Sequence, residues 1–216
     1  MKYCKSEYCC FLDSDDILEK NFAFTLINEL VKNNADFAFS DYLFIEENDV
    51  NKEIKLKRPM LIKNPTIKDL LSNNLFMTPT VIFKSKIANN ILFNEELKYN
   101  EDWLFWIDIF NNVDKVVFCD SKLVKIRTRK EGLTSKKEIH AKNYLKAIKL
   151  IEKKYNYRYK KIIKCAYFNY SNNLRAFKFY KESIIYFLKS FPCKNFFLKF
   201  PLYLIKLFLT ITKIDR

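Results

Sequence analysis

Glycine occurs once in the 216 residues, histidine once and proline five times. So little glycine and proline argues against propellers, collagen-like repeats and flexible linkers. No internal repeat is visible. The six cysteines, Cys4, Cys9, Cys10, Cys119, Cys165 and Cys193, include no CxxC pair, so no zinc-ligand spacing is present. The amino terminus lacks the ordered basic region, apolar run and small-residue cleavage site of a secretory signal. The expectation is therefore a cytoplasmic, reducing location with the cysteines serving as small core hydrophobes. Hydrophobic residues make up 49% of the chain and aromatics 17%, ample for a packed core and too many for global disorder.

Charge divides the chain unevenly. Residues 1–121 hold 14 Lys+Arg against 20 Asp+Glu, a net of −6, whereas residues 122–216 hold 25 against 5, a net of +20. A strongly basic second half faces something anionic, or is a solvated basic surface. Nucleic acid, a phospholipid surface and a phosphorylated substrate share that chemistry.

Along the chain, the apolar run at 8–12 reads as a short buried strand of a parallel sheet. Ile17, Leu18, Phe22, Leu26, Ile27 and Leu30 lie near helical spacing and predict a helix over 17–34. "ADFAFSDYLFIEE" and "TPTVIFKS" read as strands, and "KEIKLKRPML" as an edge strand that Pro59 ends. "NPTIKDLLSNN" reads as a short helix capped by Thr66. Trp103, Trp106, Ile107 and Phe110 fall on one helical face. Asn100 suits the N-cap, which puts Glu101 and Asp102 in the first turn, where the helix dipole favours carboxylates. "KVVFCD" and "KLVKIRTR" read as two strand-like pieces. From Ser135 onward the pattern is helical, with breaks near Asn156 and Pro192. The fold class expected is α/β: a sheet with helices, then a basic helical C-terminal region.

The densest acidic cluster ends the first strand. In "YCCFLDSDD" an uncharged run meets Asp13, Asp15 and Asp16 within four positions. In open α/β sheets ligands bind beyond the carboxyl ends of strands, and clustered carboxylates are relieved by a divalent cation. An EF-hand loop from Asp13 fails, because its sixth and twelfth positions are Leu18 and Phe24 rather than Gly and Glu. A phosphatase of the haloacid dehalogenase type would use Asp13 as nucleophile and Asp15 as acid, but has Thr or Val where this chain has Ile17. The plain alternative is that Asp15 and Asp16 begin the next helix.

"FLDSDDIL" resembles the DxD motif of glycosyltransferase family 2, an inverting family of nucleotide-sugar transferases with the A-type (GT-A, Rossmann-like) fold. "ADFAFSDYLF" looks like that family's next strand. "TPTVIFKSKIANNILFNEELKYNEDWLFWIDI" looks like its acceptor-side block, ending in the "ED" that supplies the base. "KIRTRKEGLTSKK" is similar to its Arg- and Ser-bearing segment. The match runs from about Lys5 to Lys137 in the family's order. The resemblance implies that Asp15 ligates Mg²⁺ or Mn²⁺ on the donor diphosphate. Asp13 would position the ribose or the metal's waters. Asp102 would be the general base, with Arg127 and Arg129 on the departing phosphates. Asp16 and Glu101 would play supporting parts, and His140 has no assigned role.

The family places "VSIIIPxYN" and a second nucleotide-binding strand before the DxD, whereas seven residues precede Tyr8 here, with Ser6 where Gly is common. The expectation is an N-terminally truncated chain, or an upstream half encoded separately. The domains expected are a partial GT-A domain over 1–134, a helical appendage over 135–191 and an amphipathic membrane-interfacial helix over 192–216. In that last segment Lys199, Lys206 and Lys213 recur every seven residues among Phe, Leu, Ile and Tyr. They interrupt the apolar run, so a helix lying in the interface fits better than one that spans. A helix covering the domain's own core is the plain alternative. Interleaved aromatics and lysines also suit single-stranded nucleic acid, but no nucleic-acid motif accompanies them. The expected function is sugar transfer from a nucleotide-sugar donor to a surface-polysaccharide or lipid-linked glycan acceptor, peripheral at the inner face of the cell membrane. The alternative is a non-catalytic remnant or a basic membrane-associating module.

Overall fold

The computed structural model describes residues 4–56, 61–129, 136–192 and 196–211, the side chains of 196–198 and 211 excepted. Pro59, Lys213 and the expected boundary at 134/135 lie outside the described residues. The chain divides into two compact units. The first holds a sheet of six strands: β1 (Tyr8–Cys9), β2 (Ile17–Leu18), β3 (Phe37–Glu46), β4 (Asp49–Glu53), β5 (Val81–Lys84) and β6 (Val116–Thr128). Its order is β1-β5-β3-β6-β2, with β4 on the outer part of β3. Only β3 and β6 run parallel; every other pair is antiparallel.

Each face of β3 buries a different core. On one side helix α1 (Phe22–Asn33) presents Phe22, Leu26 and Leu30, one turn apart, to Ala38, Ile82, Val124 and Ile126. Burying each such side chain stabilises the fold by about 2 kcal/mol. Asn34 closes α1 in the left-handed conformation at φ 48°, which asparagine tolerates. On the other side Phe37 and Phe39 meet Phe76, Phe83, Trp106 and Phe110 in a cluster of tilted and edge-on rings. Helix α3 (Glu101–Ile109) delivers Trp103, Trp106 and Ile107 fully buried, as their spacing predicts. The Trp103 indole N–H donates to the carbonyl of Leu70, the last residue of the short helix α2 (Ile67–Leu70), at 2.6 Å.

Four local expectations change. The run at 8–12 is not a central parallel strand. Tyr8 and Cys9 pair antiparallel with Lys84 and Phe83 at the sheet's edge. The apolarity beyond them serves Phe11, whose ring packs on Phe83, Phe93 and Phe105. The helix expected over 17–34 begins at Phe22, because Ile17 and Leu18 form β2 against Lys125 and Val124. The two strand-like pieces at 115–129 are one strand, β6, whose register against β3 shifts at Asp41, where Cys119 and Lys122 face Ser40 and Asp41. Asn100 takes φ 62° rather than the extended backbone usual at an N-cap. The cysteines also depart from a purely core role: the Cys4 and Cys9 sulfurs lie together, Cys10 is exposed, and Cys119 is buried.

The second unit comprises 71–74, 96–100 and 136–216. Helix α4 (Lys137–Ala176) loses helical geometry at Tyr159, three residues beyond the break expected at Asn156. Helix α5 (Tyr180–Lys189) follows a further break, and helix α6 (Phe196–Ile211) carries Pro201 within it. Tyr167 and Tyr186 stack between α4 and α5, and Phe187 stacks on Tyr203 of α6 at 3.9 Å between ring centres. Asn169 holds the Ser72 carbonyl, and Asn143 accepts the Lys98 N–H. His140 lies among Tyr99, Tyr144 and Phe177.

Candidate functional site

The acidic cluster forms a tight turn. The Asp16 N–H donates to the Asp13 carbonyl at 3.1 Å, so Asp13 to Asp16 fold back on themselves before β2. That turn is fastened to the end of β6, more than a hundred residues later in the chain. The Arg127 N–H donates to Asp16 Oδ1 at 2.9 Å, and its Nε donates to the Asp15 carbonyl at 3.0 Å. The same guanidinium donates to the Glu47 carbonyl. Arg129, two residues on, pairs its Nε with Asp15 Oδ2 at 3.1 Å. Beside them Glu19 and Lys125 pair at 3.3 Å. Arg127 and Arg129 thus both meet the Asp13–Asp16 turn. Arg127 is bound mainly to backbone oxygens and positions the turn; Arg129, half exposed, is the cation at Asp15.

Crowding and burial act on the carboxylates. Burial pushes the Asp13 carboxyl up, and the charge of Asp15 adds to this. Asp16 rises to about 6, chiefly by burial and further by Asp15 and Asp13, against the lowering by its bond to the Arg127 N–H. These groups carry repulsion that a cation would relieve. Among the described residues no group of three or more His, Cys, Asp or Glu side chains is arranged to hold a metal ion. Asp13 and Asp15 offer oxygen ligands only, the kind a hard divalent cation takes.

The start of α3 brings the second half of the site. Asp102 Oδ1 accepts the Trp103 N–H at 2.8 Å, and Oδ2 accepts the Thr78 hydroxyl at 3.3 Å. Glu101 is pushed up first by burial, then by Asp102 and then by Asp13. Phe11, two residues before Asp13, packs on Phe105 and Trp106, so α3 neighbours the Asp13–Asp16 turn. Glu101 Oε2 is buried without a hydrogen-bond partner. Thr78 and Glu47 carried no signal in the sequence; Glu101 did, as the neighbour of Asp102 in "NED".

No family model matches the chain. Its relatives are glycosyltransferases. Over 202 residues it is 29% identical to the uncharacterized glycosyltransferase MJ1057 of Methanocaldococcus jannaschii, covering 90% of this chain and 63% of that protein. Over 139 residues it is 30% identical to the poly(ribitol-phosphate) beta-N-acetylglucosaminyltransferase TarS of Staphylococcus aureus, covering 61% of this chain and 23% of that protein. It is 29% identical over 139 residues to the UDP-Glc:alpha-D-GlcNAc-diphosphoundecaprenol beta-1,3-glucosyltransferase WfgD of Escherichia coli, covering 63% of this chain and 52% of that protein. The crystal structure of S. aureus TarS in complex with UDP-GlcNAc matches with a TM-score of 0.58 at 19% identity, over 82% of this chain and 51% of that one. The mixed α/β architecture is therefore similar to that of the TarS fragment. The chain spans 63% or less of the length of these three relatives.

Proposed function

We propose that this chain carries the diphosphate and acceptor side of an inverting nucleotide-sugar glycosyltransferase of the family 2 type, acting on a glycan or lipid-linked acceptor. The observation that carries the reading is the Asp13–Asp16 turn clamped by Arg127 and Arg129 at the end of β6, beside the helix α3 that the "ED" opens. The relatives support it, since WfgD is named for a UDP-Glc donor and a diphosphoundecaprenol acceptor, and TarS is seen with UDP-GlcNAc.

In this reading Asp15 and Asp13 would hold a Mg²⁺ or Mn²⁺, which would supply charge neutralisation for the leaving nucleoside diphosphate. Arg127 keeps the turn in shape, and Arg129, released from Asp15, meets phosphate oxygens as a guanidinium does well. Asp102 takes the proton. Its Oδ2 already accepts a hydroxyl hydrogen from Thr78, while the Trp103 N–H holds its other oxygen. The acceptor oxygen bonds to the anomeric carbon as the bond to the diphosphate oxygen breaks, and the electron pair leaves with the diphosphate. The hydroxyl proton ends on Asp102, and the anomeric configuration inverts. The acceptor and the basic second unit meet at an anionic cytoplasmic membrane face.

The test is transfer of radiolabelled sugar from UDP-GlcNAc or UDP-Glc to lipid-linked and polyol-phosphate acceptors with Mn²⁺. Asp102→Asn should reduce transfer at least a hundredfold, as loss of a general base does, and Asp15→Asn should reduce it by removing a ligand of the divalent cation. Full activity in the Asp102→Asn variant rejects that residue as base. No transfer with any donor, by a natively folded chain supplied with the family's upstream nucleotide-binding strands as a second polypeptide, leaves the basic membrane-associating module.

A further inference from the structure

The middle of helix α4 gathers cations without acids to meet them. Residues 149–164 hold 7 Lys+Arg against 1 Asp+Glu, a net of +6. The single acid, Glu152, is half-buried, and its Oε2 accepts the Tyr167 hydroxyl at 2.7 Å. Lys149, Lys153, Arg158, Lys160 and Lys161 are exposed, and none of the five pairs with a carboxylate among the described residues. Lys146, one turn before them, does have such a partner in Glu96 at 3.2 Å. Lys149 and Lys153 stand four apart, where like charges on a helix repel. A row of uncompensated, mutually repelling cations is complementary to an anion that runs along it.

The shape and chemistry of the row narrow what that anion is. From Lys149 to Arg158 the helix rises about 14 Å, longer than one phosphate can bridge. Lys160 and Lys161 extend the row past Tyr159, where the backbone leaves helical geometry. The only large hydrophobic side chain exposed between 149 and 164 is Tyr157, at 107%. The row therefore has no apolar arc to sink among acyl chains, as an interfacial helix needs. A single exposed ring is also no platform for the successive bases of a single-stranded nucleic acid. What fits is a chain of phosphates joined by polyol or sugar units. Lysines and the Arg158 guanidinium, which lies over the Tyr159 ring at 5.6 Å, meet its phosphates. Tyr157 offers a ring face and a hydroxyl to its polyol.

We infer that the exposed side of α4 from Lys149 to Lys161 is a binding surface for a linear, phosphate-linked polyol or glycan chain. Calling that polymer the acceptor rests on the glycosyltransferase reading above; the binding surface rests on the second unit alone.

The test is fluorescence anisotropy of a labelled synthetic poly(glycerol phosphate) chain titrated with the full-length protein. The polymer should bind, added salt should release it, and neutral dextran should not compete. Inorganic phosphate at the same total phosphate should compete poorly, since it spans only one cation of the row. Lys153→Gln with Arg158→Gln should weaken binding roughly twentyfold, taking about fivefold for each cation near an anionic surface. Lys178→Gln with Lys181→Gln removes the same charge elsewhere in the unit and should leave binding within about twofold of the unaltered chain. Asp15→Asn should bind the polymer normally, so loss of transfer and loss of polymer binding remain separate results. Absence of binding, or equal weakening by the two double substitutions, overturns the inference. So does tighter binding of a single-stranded oligonucleotide or of phosphatidylglycerol vesicles that Lys153→Gln with Arg158→Gln removes.

Discussion

Arg127 shows how one residue ties the site to the sheet. Its N–H, Nε and guanidinium fork each hold a different oxygen of the turn or of the strand end at Glu47. Arg127→Ala should loosen the turn and lower stability by about 1–2 kcal/mol, read from the urea midpoint. UDP-sugar affinity should fall with it. Arg127→Lys should restore only part, because an ammonium lacks the planar fork. His140 offers a pH test away from the site. Burial holds its imidazole below the ordinary value, so the folded chain favours the neutral ring. Stability should be full above about pH 6.5, the unfolded value, and fall as the pH drops through the lower folded value. His140→Phe, which keeps a ring among Tyr99, Tyr144 and Phe177, should flatten thermal unfolding between pH 7 and 5. At this scale the carboxylates were legible in the sequence. Their restraints were not, because Asp16 and Arg127 are 111 residues apart and no local pattern links them.

Among the elements, α1 and α3 followed their periodicity, since a stripe repeating every three to four residues has one way to face a core. Leu30 is completely buried against the sheet. Leu30→Ala should cost about 2–5 kcal/mol in urea unfolding, depending on how far the cavity relaxes. The strands were less legible. An apolar run is the same whether it lies at the centre of a sheet or feeds an aromatic cluster from its edge, as "YCCFL" does. Ile17 and Leu18 have helical spacing relative to Phe22, yet pairing with β6 draws them into a strand. The shift of register at Asp41 lets β6 continue past Asp120 and Ser121, which by composition read as a gap between two pieces.

For the whole molecule, the division into an acidic first half and a basic second half was visible from charge alone. Mn²⁺ with UDP, supplied at about 100 times its dissociation constant, should stabilise the folded chain by about 2.7 kcal/mol. That appears as a raised melting temperature, and Asp15→Asn should remove the rise. Absence of a shift in the unaltered chain at saturating ligand would reject the diphosphate site.

The order of "FLDSDDIL", the "ED" segment and the Arg-bearing strand by itself determined the chemistry to look for, because catalytic side chains need fixed residue types at recurring positions. Hydrophobic spacing likewise determined α1 and α3. Tertiary structure decided what each charge meets: Arg127 on the turn's backbone, Arg129 on Asp15, Lys199 over an aromatic ring. It also decided that Tyr203 and Leu207 are the side chains by which α6 packs. Spacing records which residues share a face, whereas contact between distant segments, and hence burial and partner, exists only once the chain has packed.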